Sequence, residues 1–152
     1  MADTPDMSGT SEATSPGRAS VDSSDESIRR RFPGLLGIRL VERRHGYARA
    51  EMDLDERHLR PFVDGVHAGA VVSLADSACG MGCQASLPEG RAFTTVELKA
   101  NLIGTAAAGT ITAVAEPMHM GRSTHVWQAR VTGADGKLLA VFTCTQLIVD
   151  AR

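Results

Sequence analysis

Residues 65–76 read Gly-Val-His-Ala-Gly-Ala-Val-Val-Ser-Leu-Ala-Asp. A histidine and a small-residue turn lead into an apolar run that carries a single carboxylate, Asp76. Burying an ionised carboxylate is costly without a partner, so Asp76 has either a structural bond to a neighbouring segment or a catalytic task. His67, at the start of the run, suits a structural role at a helix terminus and direct chemistry equally well.

The other reactive side chains form weaker patterns. Cys79 and Cys83 stand four apart and share a helix face, but no further ligands follow at metal-site spacing. They read as small core residues, as does Cys144 in an apolar strand. His119 and His125 flank a turn and read as surface or rim residues. Ser77 follows Asp76 without the glycine frame of a nucleophile elbow, which argues against a serine hydrolase. The run Arg29-Arg30-Arg31 reads as a solvated surface or as a phosphate attractor.

These residues need elements to hold them. Segment 68–86 has helical length, and Val71, Val72, Leu74, Ala75, Ala78, Cys79 and Met81 surround its axis. A helix apolar on most sides is buried. Leu87-Pro88-Glu89-Gly90 ends it. Before it, Phe32-Pro33-Gly34 makes a turn-like start, and 35–43 and 46–54 alternate as strands about a His45-Gly46 turn. Residues 55–66 form a loop with Pro61 and Gly65. Four strands follow at about 91–104, 110–119, 123–133 and 137–149, with turns at Gly121-Arg122 and Ala134-Asp135-Gly136. This order predicts an α+β fold, one long helix packed on one antiparallel sheet.

At 152 residues and 43% hydrophobic, the chain suits one domain with a real core. Residues 1–30 read as a disordered, acidic and Ser-rich tail, and 31–152 as the domain. The net charge of −2 is uneven: residues 1–27 carry −5, which leaves +3 on the rest. That mild excess suits an anionic small ligand and falls short of a nucleic-acid binder, and 4% aromatics leave few stacking surfaces. Three cysteines without secreted-scaffold spacing, and an N-terminus lacking a signal-peptide pattern, predict a reduced, cytoplasmic protein. Asp76 interrupts the longest apolar segment, so no membrane span is expected.

With these residues in view, the chain resembles a known family. Gly-x-His-Ala-Gly followed by Leu-Ala-Asp on a central helix is similar to the hotdog-fold thioesterases, above all the phenylacetic-acid-degradation (PaaI-like) branch. Thr95-Val96-Glu97-Leu98-Lys99, Gly109, Gly121-Arg122-Ser123 and Asp135-Gly136-Lys137 fall at that branch's later landmarks, so the likeness spans roughly residues 33–149. It implies an antiparallel sheet wrapped around the helix, sheets joined edge to edge in a homodimer, and two interfacial acyl-CoA sites. Dimers of dimers are common in the family. The resemblance calls for no cofactor beyond the CoA thioester substrate.

Carried over residue by residue, Asp76 matches the catalytic carboxylate, either general base or nucleophile on the thioester. Ala68 matches the residue whose backbone N–H forms the oxyanion hole, a position usually held by Gly, and a helix N-terminus there adds a favourable dipole. His67 matches the histidine that fixes the turn, and Thr95 a polar position that holds water beside the carboxylate. Gly65, Val66, Gly69, Phe62, Arg122 and Ser123 are the expected substrate contacts, with Val63 also shaping the pocket. Arg122 would meet CoA phosphates, ahead of Lys99 and Arg91. No metal site is expected. Many relatives carry Asn or Gln about six residues before the motif histidine. Here that stretch reads Arg60-Pro61-Phe62-Val63-Asp64, where Asp64 is the available substitute. A non-catalytic acyl-CoA-binding module is the main rival reading, and a hotdog hydratase or dehydratase a more distant one.

Overall fold

A computed structural model describes residues 24–151. Its strands are β1 (Arg39–Arg44), β2 (Tyr47–Asp53), β3 (Arg91–Leu102), β4 (Thr110–Met120), β5 (Thr124–Thr132) and β6 (Leu138–Asp150). They form one antiparallel sheet in the order β1-β2-β4-β5-β6-β3. Helix α3 (Ala68–Ser86) packs against every strand, and two short helices, α1 (Ser24–Arg29) and α2 (Phe32–Leu35), precede the sheet. This is the hotdog arrangement. Among the described residues no helix is long and apolar enough to cross a membrane.

Period-two alternation decides the inner face. Ala48, Ala50 and Met52, then Ile111, Ala113 and Ala115, then Trp127, Ala129 and Val131 are all buried against α3. The alanines at the middle of the sheet let the helix approach closely. At Gly82 the approach is tighter still, because a Cβ there would lie 2.6 Å from the Trp127 ring. The two-residue turn His45-Gly46 closes the first hairpin with Gly46 at φ 71°, and Ser86 Oγ at the far end of α3 accepts from Gly46 N–H at 2.9 Å.

Four details depart from the sequence expectations. Helix α1 lies within the stretch assigned to the tail, and residues 1–23 of that stretch fall outside the described residues. The first strand begins at Arg39 rather than residue 35, because Pro33 at the head of α2 favours a helical turn and Gly37 at φ 67° then reverses the chain. The loop before α3 holds a 3₁₀ turn, Glu56–His58. His125 is not a rim residue: it shares the inward parity of Trp127 and is buried, with Nδ1 3.5 Å from Cys83 Sγ.

Candidate active site

The start of α3 is built by hydrogen bonds that use nearly every local donor. Gly65, at φ 122°, takes the Arg60 N–H on its carbonyl at 3.0 Å, and Val66 N–H donates to Ala106 O at 2.7 Å. His67 N–H donates to His58 O at 2.8 Å. His58 is itself buried, with Nδ1 accepting from Asp55 N–H at 3.0 Å and Nε2 meeting Leu36 O at 2.9 Å. These contacts place its proton on Nε2 and leave the ring no chemical freedom. His67 caps the helix: Nδ1 accepts from Gly69 N–H at 2.9 Å, and its carbonyl accepts from Ala70 N–H at 3.0 Å. Ala68 N–H has no acceptor among the described residues, and Ala68 is exposed. It is an unspent donor at the positive end of a 19-residue helix.

Asp76 stands two turns further on, at the floor of a cleft of about 600 Å³ between the two edges of the sheet. Ile28, Phe32, Val72, Met81, Phe93 and Leu98 form its apolar walls, and Arg43 is the other charged side chain lining it. A bulge in β3 between Thr95 and Glu97 shifts the side-chain parity, so Thr95 and Leu98 both reach the cleft. Burial pushes the Asp76 carboxyl above the ordinary range, opposed by a Thr95 hydroxyl 3.5 Å from Oδ1. Such a carboxylate is poorly solvated and short of donors, as a base or nucleophile requires. Cys79 and Cys83 are poor nucleophiles here: Cys79 is raised by a hydrogen bond with Cys144 and by burial, and burial pushes Cys83 up to about 12.

Thr95 and Asp76 are thus brought together, while the helix start is held apart from them. Asp76 lies eight residues after Ala68. At 1.5 Å of rise per residue this is about 12 Å along the axis. His67, Ala68 and Gly69 are exposed at that distance, and Gly65 and Val66 are buried beneath them. Phe62 is 92% exposed at the tip of the preceding loop and lines no part of its own chain's cleft, and Val63 and Asp64 are exposed beside it. Arg122 and Ser123 sit in the exposed β4–β5 turn, where Ser123 O accepts from Ile148 N–H at 2.9 Å. Ile148 pairs with Phe93, a cleft wall, so the turn lies one strand beyond the cleft mouth. Arg122 makes no ion pair among the described residues, whereas Arg91 is held by Asp150 at 3.0 Å. The sequence reading missed Gln146, which is buried opposite Thr95. Its signal was parity, since it alternates with Phe142, Cys144 and Ile148, all inward.

Comparison with known proteins gives the family. The thioesterase superfamily profile matches residues 65–140, and the chain belongs to that family. It is 34% identical over 117 residues to the 1,4-dihydroxy-2-naphthoyl-CoA hydrolase of Listeria monocytogenes, covering 77% of this chain and 94% of the relative. Its fold matches the Haemophilus influenzae thioesterase HI1161 with a TM-score of 0.81 at 25% identity, over 86% of this chain and 91% of that one. Escherichia coli PaaI shares the fold with a TM-score of 0.74 at 23% identity, over 83% and 91% of the two chains. The chain is a thioester hydrolase of hotdog fold.

Proposed function

We propose that the protein hydrolyses acyl-CoA thioesters bearing a bulky apolar acyl group, at sites each assembled from two copies of the chain. The carrying observation is the separation of Asp76 from the free Ala68 N–H. One carbonyl cannot contact both across about 12 Å of the same helix, so they serve one thioester only when they come from different copies. The edge strand β3 supports such a pairing, for its outer side is unpaired among the described residues and Val96 is 57% exposed, with Leu98 and Leu102 also open. Edge-to-edge association there gives a two-fold homodimer with two sites, which is also the unit of any dimer of dimers.

In this reading the acyl group enters the cleft, whose six apolar walls suit a ring system or branched chain. The 1,4-dihydroxy-2-naphthoyl group in the Listeria relative's name agrees with that choice. Asp76 activates water or attacks the thioester carbon, with Thr95 beside it. Ala68 of the second copy donates to the developing oxyanion, with His67 holding that helix turn and Gly69 keeping it open. Gly65 and Val66 seat the turn from below. Phe62 travels with Ala68 on the loop before it and forms the rim from the second copy. Arg122 and Ser123, near the mouth, take the CoA phosphates. The three free cysteines fit a reducing cytoplasm, where CoA esters are handled.

The test is thiol release from a panel of aromatic, medium-chain and short acyl-CoA esters, with wild type beside Asp76→Ala. The expected result is turnover highest on aromatic or branched esters and reduced at least 100-fold in the variant. Acyl-CoA binding without turnover on any ester would overturn it in favour of a binding module.

A further inference from the structure

Gln146 is fully buried on the inner face of β6, where it alternates with Phe142, Cys144 and Ile148 and faces the buried His125 across the β5–β6 ladder. A buried primary amide is costly unless its groups are bonded. Gln146 Nε2 donates to Cys144 Sγ at 3.3 Å, and Oε1 accepts from the Thr95 hydroxyl at 2.9 Å. Thr95 is its ladder partner across β3–β6, next to the bulge. The same hydroxyl lies 3.5 Å from Asp76 Oδ1. A threonine hydroxyl has one proton to give. At 2.9 Å the bond to Gln146 is of ordinary strength, and at 3.5 Å the contact to Asp76 is at the outer limit.

We propose that Gln146 is a positioning residue for the Asp76 chemistry: it draws the Thr95 proton away from the carboxylate and leaves Oδ1 open to water or the thioester carbonyl. This rests on the reading of Asp76 as base or nucleophile. A carboxylate that accepts fewer hydrogen bonds is the more basic and the more nucleophilic one. The other groups around Asp76 do not supply this control. Cys79 on α3, and Cys144 hydrogen-bonded to it from β6, are thiols, and His125 of β5, across the ladder from Gln146, is a buried imidazole engaged with Cys83 Sγ at 3.5 Å. Arg43 of β1 is the cationic side chain on the cleft wall, and α1 and α2 contribute Ser27, Ile28, Phe32 and Pro33, all uncharged. Glu26 of α1 pairs locally with Arg29 and with Arg30 just beyond the helix. The Thr95 hydroxyl is the bond that Gln146 can give or withhold.

The experiment is a carboxyl ¹³C NMR titration of Asp76 in the full chain, for wild type, Thr95→Val, Gln146→Leu, Gln146→Met and the Thr95→Val/Gln146→Leu pair. Removing the Gln146 amide releases the hydroxyl to Asp76, so both Gln146 variants lower the Asp76 midpoint. Removing the hydroxyl raises it. In the Thr95→Val background the Gln146 change has no further effect. The acid limb of the kcat/KM profile moves in the same directions. Methionine keeps an unbranched chain of similar length, so a fold-sparing variant is available if leucine disturbs the core. A midpoint that is unmoved or raised in a folded Gln146 variant overturns the proposal, as does an undiminished Gln146 effect without the hydroxyl. The titration reads the carboxyl itself, so missing turnover would remove the acyl-CoA reading while the midpoints still decide the role of Gln146.

Discussion

Ala68→Pro removes one hydrogen-bond donor and little else. Proline is favoured in the first helical turn, where its missing N–H has no intrahelical partner. The residue before it must be extended, and His67 already is, at φ −67° and ψ 138°. No bond is lost, because Ala68 N–H has no acceptor among the described residues. Stability is therefore expected to hold within roughly 0.5 kcal/mol, or to rise by up to about 1 kcal/mol through the stiffer unfolded chain. If that N–H stabilises the oxyanion, kcat falls about 100- to 1,000-fold, or about 3–4 kcal/mol of barrier. Thiol-release kinetics beside a thermal melt separate the two effects. Co-expression with Asp76→Ala then tests the shared site. A mixed dimer keeps one complete site, with Asp76 from the proline copy and the Ala68 N–H from the other. Random pairing makes about half of the dimers mixed, each with one working site of two, so activity returns to roughly a quarter of wild type. Full activity in Ala68→Pro alone would refute the donor assignment. Activity of the mixture no higher than either parent would refute a site built from two copies.

Other perturbations have equally definite outcomes. Because burial raises the folded Asp76 carboxyl above its unfolded value, its stabilising contribution is complete at low pH and is lost as pH rises through the folded pKa. Asp76→Asn should therefore abolish turnover yet melt no lower than wild type at neutral pH, with the gap between their melting curves closing toward about pH 4. Gly82→Ala gains about 1 kcal/mol of helix propensity but meets Trp127 at 2.6 Å, and overpacking at about 1–3 kcal/mol wins, lowering Tm by a few degrees. Ser86→Ala strands the part-buried Gly46 N–H and should cost about 1–2 kcal/mol in urea unfolding.

The chain's local physics was legible from sequence wherever a period or a turn carried it. The alternation in β2, β4, β5 and β6, the mostly apolar circumference of α3 and the Asp-Gly turn at Gly136 each follow from neighbours a few residues apart. Asp76 stood out for the same reason, as a charge out of place on a buried helix, whereas the part expected of Ala68 came only from the family resemblance. What was hidden depends on contacts between distant segments. Leu36 and Ile38 continue the alternation of β1 but sit in the turn after α2, because Pro33 and Gly37 override the pattern. The acidic stretch before residue 31 gave no hydrophobic period, yet Ser27 and Ile28 of α1 line the cleft. His125 and Gln146 look like ordinary polar strand residues until parity is counted from Trp127 and Phe142, which turns both inward.

The spacing within the proposed site was the hardest feature to read from sequence. Nine residues from His67 to Asp76 look like proximity in the sequence, but a helix converts them into a separation too long for one carbonyl to bridge. A loop of the same length could have folded the two together, whereas a buried helix fixes them apart. In the mechanism proposed above, the rigidity that makes α3 a scaffold for Asp76 is also the reason a second copy would be needed to complete the chemistry. On that mechanism the exposed apolar edge of β3 would be the surface that brings the second copy into place.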